Sequence, residues 1–364
     1  MGTVVQSIGT DGRTFSTITA WEAQLDDAGV FSAGDDAVGE CYDDSPFDET
    51  VTINGGGTIG LASITLTVAE GERHDGTAGT GARIVRGSQT DILLDINEVA
   101  PTSIRWLDIN MNEQFTGPGS NKIVIRLNRA GGTPFPEHAV DKCLVHNTQD
   151  PGVVGGGHVI GVESSSNFRR VTNNLFWRFI ANSGSVGTAC VLQDRTGLAQ
   201  KDANNTIHGL DTPNHSGGGS AGIRKSNATG AICQNNVVTG VLASGGGSAA
   251  CFSGTLTGGT ESHNASSDAT ATGTGSLTGI DPADQFVSTV VGSEDLHLKA
   301  GADCIDAGTD LGTTPTGVNI DIDGRDRDAE GDTWDIGADE FVLPFVPPSG
   351  NMRGGLHAMS GGMQ

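Results

Sequence analysis

The chain has 364 residues, with 56 glycines and only 5% aromatics, a balance that excludes a compact helical or doubly wound domain and suits many short strands joined by tight turns. With 20 Lys and Arg against 44 Asp and Glu, the formal net charge is -24 at pH 7, a field that repels phosphate backbones and argues against nucleic acid as a partner. No apolar run approaches the roughly 20 residues of a membrane span, so no membrane partner is expected.

At the N-terminus, Met1 to Ser7 offers neither the basic nor the apolar region of a signal peptide, so synthesis in the cytoplasm without secretion is expected. Phe15 to Leu25 reads as a short amphipathic helix. Ile18, Trp21 and Leu25 fall on one stripe, which suits a lid over an exposed sheet end. Residues 1–50 are therefore read as an N-terminal cap. Four β-rich segments follow: Val51 to Asn54, Ile64 to Val68, Ile104 to Ile109 and Ile123 to Leu127. The six cysteines (41, 143, 190, 233, 251 and 304) stand singly, without CxxC spacing, and are expected to be free, buried thiols.

The middle of the chain repeats. The dipeptides Asn173-Asn174, Asn204-Asn205 and Asn235-Asn236 recur at steps of 31, and Asn264 follows after 28. A second marker keeps the same steps: Gly156, Gly187, Gly218 and then Gly246. Repeats of this length are supersecondary units that bury a face only against their neighbours. With short β-rich segments between glycine clusters, one repeat is one coil of a solenoid. The expected fold is all-β, a single-stranded right-handed parallel β-helix over residues 51–285, with C-terminal rungs and a cap over 286–341. Phe176, Ile207 and Val238 would stack inward, as would Val159, Cys190, Ala221 and Ala249. Asn174, Asn205, Asn236 and Asn264 would form an asparagine ladder whose amides satisfy turn backbone.

The register also places Glu163, Asp194 and Lys225 31 residues apart. Two carboxylates on adjacent coils would stand about one strand spacing, ~4.8 Å, apart, near the separation of a retaining glycosidase pair. A solvated ladder neutralised by Lys225 accounts for them equally well. Asp321, Asp323, Asp326 and Asp328 alternate like calcium ligands and would hold a structural Ca2+; a charged turn of the cap is the plainer reading. No other cofactor is expected.

Three C-terminal blocks complete the pattern: Cys304 to Thr309, Asp321 to Arg325 and Asp335 to Phe341. They resemble the C-terminal region of right-handed β-helix proteins, including those with a choice-of-anchor ending. The amino end, Asp11 to Phe15 through Trp21-Glu22 and Glu40 to Tyr42, is similar to β-helix virion proteins of tailed phages. The resemblance covers both ends and the repeat style, and it departs from secreted members in showing no membrane anchor after the last block. It implies a non-enzymatic virion structural protein, a fibre, spike or capsid-decorating subunit on the particle surface. Residues 342–364 read as an extended docking tail toward other virion proteins, with Leu343, Phe345 and Val346 as its contacts. A second copy of the chain and a host glycan are the other partners the architecture allows. The alternative function is a glycan-binding or glycan-degrading depolymerase, a polysaccharide hydrolase or lyase.

Overall fold

A computed structural model describes residues 2–86, 91–112, 122–128, 137–150, 158–164, 168–182, 189–194, 200–214, 219–225, 230–256, 258–329 and 333–342. The chain winds through three parallel sheets of nine, eight and seven strands, visiting them in turn. One coil consists of Glu137–Asp141 in the first sheet, Leu144–Asp150 in the second and Val159–Ser164 in the third. The next coil lays Phe168–Thr172, Leu175–Ala181 and Ala189–Asp194 on top of it, strand on strand. The expected parallel solenoid is the architecture. Among the described residues, no helix is long and apolar enough to cross a membrane.

Strand formation follows from the side-chain period of two. Asp36–Cys41 and Ser63–Val68 alternate buried and half-buried residues, so one face of each strand enters the core. Phe176 pairs with Ile207, and Ile207 with Val238, making the expected inward column. Each such side chain contributes roughly 1.5–3 kcal/mol by leaving water. The third-sheet column is offset at both ends: Val159 pairs with Ala189, Cys190 with Ala221, and Ala221 with Ala250. All six cysteines are free and buried, and burial pushes the Cys143 thiol up to about 12.

The asparagine ladder is present. The Nδ2 of Asn174 donates to Asn205 Oδ1 at 3.0 Å, Asn205 to Asn236 Oδ1 at 3.0 Å, and Asn236 to Asn264 Oδ1 at 3.1 Å. Each Oδ1 also accepts the backbone N–H of the ladder residue one coil earlier. The column begins at Cys143, whose N–H reaches Asn174 Oδ1 at 2.8 Å. Of the glycine markers, Gly156, Gly187 and Gly218 lie outside the described residues.

The residue before each ladder position turns the corner between the first and second sheets. Trp106, Lys142, Asn173, Asn204, Asn235 and His263 all have positive φ, from 50 to 63°. Asn tolerates this left-handed conformation better than most residues, which explains the first Asn of each pair. The corner also corrects one expected element. Ile104 to Ile109 is not a single strand but two, Thr102–Arg105 and Asp108–Asn110, broken at Trp106.

At the amino end, the helix Ile18–Glu22 starts at Thr17, whose hydroxyl accepts the Ala20 N–H. Glu49 fixes the same turn by accepting the Ile18 N–H at 2.7 Å and the Thr19 N–H at 2.9 Å. Ile18, Trp21 and Leu25 are fully buried in the solenoid core. A Cβ at Gly39 would lie 2.7 Å from the Trp21 ring, so only glycine lets that strand pass beneath it.

The C-terminal part differs from the expectation of further rungs and a terminal cap. Among the described residues the last parallel strand is Leu277–Thr278, followed by a short antiparallel hairpin of Phe286–Ser288 with Asp295–Leu298. Later residues turn back and run along the flank of the coils as a strap. The reason is visible at the corner: its left-handed residues point polar groups outward, and the strap carbonyls accept them.

Candidate functional site

The strap is docked coil by coil on that corner. Asn235 donates to Thr309 O at 2.8 Å and accepts the Thr309 N–H at 3.0 Å. Asn204 donates to Val318 O at 2.9 Å. Gly317 O receives both Asn173 Nδ2, at 3.2 Å, and Lys142 Nζ, at 3.1 Å. On its return the strap gives the Gly337 N–H to Asn235 O and the Ala338 N–H to Thr206 Oγ1.

Within the strap, acidic side chains tie the three C-terminal blocks together. Arg327 is fully buried; it reaches Glu340 Oε2 at 2.6 Å and the carbonyls of Gly337 and Ala338 at 2.9 Å. Asp335 accepts the N–H groups of Asp306 and Phe341. Asp321 accepts those of Asp323, Arg325 and Glu340. Asp326 accepts from Asn319 and the Asp328 N–H, and Asp328 accepts the Trp334 indole N–H. The alternating acids 321, 323, 326 and 328 therefore do not converge on one point. Three of them fold the strap, and only Asp323 faces a cleft.

That cleft, of about 840 Å3, opens between the strap and the early coils and is lined by Arg73, His74, Trp106, His297, Asp323 and Asp339. His297 sits between two carboxylates, with Nδ1 2.6 Å from Asp295 Oδ1 and Nε2 3.1 Å from Asp323 Oδ1. Arg325 pairs with the other Asp323 oxygen at 3.0 Å. Burial works to lower the His297 pKa, but the Asp323 hydrogen bond and the Asp339 and Asp323 charges outweigh it, raising the group to about 10. Burial pushes Asp339 the other way, to about 6, despite the facing His297 charge and the Leu298 N–H. The ligating atoms of His297, Asp323 and Asp339 lie within 4.8 Å of one another. Such a set can hold a cation, or stand as an imidazolium clasp between strap and hairpin. Opposite it, Gly76 has φ +80°, and a Cβ there would come within 2.2 Å of His297 Nε2. The coil can approach the imidazole only with glycine.

The backbone register differs from the one proposed for the Glu163–Asp194 pair. Glu163 is buried and pairs with Arg126 on one side and Gln193 on the other, while Asp194 lies across from Ser164. Between these coils the third sheet steps by 30 residues, Val159 to Ala189, so the 31-residue spacing misses by one position. The Asp194 side chain lies outside the described residues. Lys225 is bound one coil further on, 2.7 Å from Glu261 Oε1. Leu343, Phe345 and Val346 also lie outside the described residues. The sequence reading passed over Asp295, His297 and Asp339. The Asp-x-His spacing puts Asp295 and His297 on one face of a strand, which was a usable local signal.

The acids of the strap set its pH dependence. Burial raises Asp335 from 3.8 to about 6 and Glu340 from 4.5 to about 7, with the Arg327 charge opposing both shifts. A carboxyl whose pKa is higher folded than unfolded contributes stability that is complete below the unfolded value and lost as pH rises through the folded one. The strap is thus expected to hold best near about pH 4 and to loosen toward about pH 7. Amide exchange at Ile336 and Gly337, corrected for intrinsic rates and compared with the Asn174 amide, should show relative protection falling across that window. A rise would contradict the burial argument. No family model, curated protein or solved structure matches the chain.

Proposed function

We propose that the chain is a non-enzymatic structural protein of a virion: a right-handed β-solenoid fibre, spike or capsid-decorating subunit, closed at its amino end by the Ile18–Glu22 helix. It is displayed on the particle surface and attached through residues 342–364. The supporting observation is where the polar side chains go. Ladder asparagines hold coil to coil, corner residues hold the strap, and the acids 321, 326, 328, 335 and 340 hold the strap to itself. This arrangement braces a rod along its length, which suits a particle component exposed to mechanical and chemical stress. Right-handed winding is what parallel crossovers favour. Deleting residues 342–364 is expected to leave a folded solenoid with unchanged circular dichroism that no longer joins its particle. Unchanged incorporation would defeat the reading.

A glycan-binding or glycan-cleaving depolymerase is the second reading, and the acidic cleft beside Trp106 favours it. Since Glu163 does not stand over Asp194, its test belongs at the cleft. Asp323→Asn should abolish binding or cleavage of host capsule or lipopolysaccharide, and no activity in the unaltered chain counts against it.

A further inference from the structure

We infer that His297, Asp323 and Asp339 form a binding site for a divalent transition cation of the zinc class, which clips the C-terminal strap to the hairpin. Three observations carry this. First, the three donors come from separate places in the chain, yet their ligating atoms gather within 4.8 Å. The 3.1 Å between His297 Nε2 and Asp323 Oδ1 is close to the ~3.3 Å edge expected between two donors on one tetrahedral zinc. Second, the imidazole is already oriented as a ligand. Its Nδ1 faces Asp295 Oδ1 at 2.6 Å, the carboxylate–imidazole pairing that fixes the tautomer and aims Nε2 at a metal. Third, the Asp339 side chain is only 5% exposed and yet lines the cleft. Its Oδ2 accepts the Leu298 N–H at 2.8 Å, whereas Oδ1 has no hydrogen-bond donor among the described residues; Arg325 Nη1 is 3.9 Å away. This nearly buried carboxylate thus turns one oxygen toward the cleft, on the side where His297 and Arg325 stand, and that oxygen is available to a metal.

The donor set selects the ion. One imidazole nitrogen with two carboxylates suits Zn2+ and its first-row neighbours, while Ca2+ takes six to eight oxygens and would gain little from His297. The cleft leaves the fourth position to water. On binding, the metal takes the place of the Nε2 proton, which goes to solvent, and Nδ1–H stays on Asp295.

The test uses the full chain, stripped with a chelator and titrated with Zn2+ by calorimetry in two buffers of different ionisation enthalpy. One Zn2+ per chain is expected, with proton release and no competition from Ca2+. Co2+ in its place should give the visible absorption of a low-coordinate nitrogen–oxygen site. Asp339→Asn keeps an acceptor for the Leu298 N–H and should weaken Zn2+ at least ~100-fold, and Asp295→Asn should weaken it about 10- to 100-fold. The second variant leaves all three ligands in place, so it reads the site even where the first disturbs folding. Unchanged affinity in both variants, or no saturable Zn2+ uptake by the stripped protein, overturns the assignment and leaves an imidazolium clasp alone.

Discussion

Replacing Asn205 by Ala is expected to destabilise the solenoid by roughly 3 kcal/mol, far more than any exposed asparagine would. The side chain is fully buried and joins three coils. Its Oδ1 accepts both the N–H and the Nδ2 of Asn174, and its Nδ2 donates to Val171 O and Asn236 Oδ1. Alanine removes all four bonds at once. Asn174 Nδ2 keeps Val140 O and Thr172 O, and Asn236 Oδ1 keeps the Asn205 N–H. The Asn174 N–H has no such substitute and Val171 O loses a donor, in a place water does not reach. An orphaned buried donor costs about 1–3 kcal/mol, more than the net worth of the bond it lost. The measurement is the urea midpoint, with Asn214→Ala as reference. Among the described residues Asn214 makes one side-chain bond, exposed, to Asn182 O, and its loss should fall within ~0.5 kcal/mol of no effect. Equal shifts for the two variants would mean the ladder adds nothing.

Asparagines 205 and 204 show how far the sequence could be read. The 31-residue step placed Asn174, Asn205 and Asn236 in one column, because residues a whole coil apart must become neighbours in a parallel stack. The same step applied equally to Asn173, Asn204 and Asn235, but their role needs the corner geometry. Only a left-handed turn sends the first side chain outward to a strap whose path the repeat does not encode. The third sheet marks the limit of the arithmetic. The step is 30 residues from Val159 to Ala189 and 31 from Cys190 to Ala221, so the Glu163 backbone meets Gln193 rather than Asp194. Loop length is tolerated on a surface, so a fixed period predicts register only where the corners are fixed. The cleft was hidden for a related reason. His297, Asp323 and Asp339 lie in separate C-terminal segments, and Gly76 comes from an early coil. No periodicity links them; the strap's return path does.

Asn235→Ala should release the end of that strap. Asn235 is the corner residue with the most contact to it, exchanging two hydrogen bonds with Thr309 and accepting the Gly337 N–H on its own carbonyl. Its φ of 55° adds a second cost for alanine, since a Cβ in the left-handed region is disfavoured by roughly 1–2 kcal/mol. Two partly buried bonds at about 1 kcal/mol each bring the total near 3 kcal/mol. Undocking is local, so the global midpoint is the wrong readout. Exchange of the Thr309 and Gly337 amides should instead accelerate about 100-fold, as ~3 kcal/mol implies. Asn235→Gly separates the two causes. It removes the same side-chain bonds but accepts the positive φ, so strap exchange should lie between wild type and the alanine variant, recovering about 1 kcal/mol. If glycine and alanine behave alike, backbone strain contributes nothing at the corner. If neither accelerates exchange, the strap is held by Arg327 and the block acids rather than by the corner column.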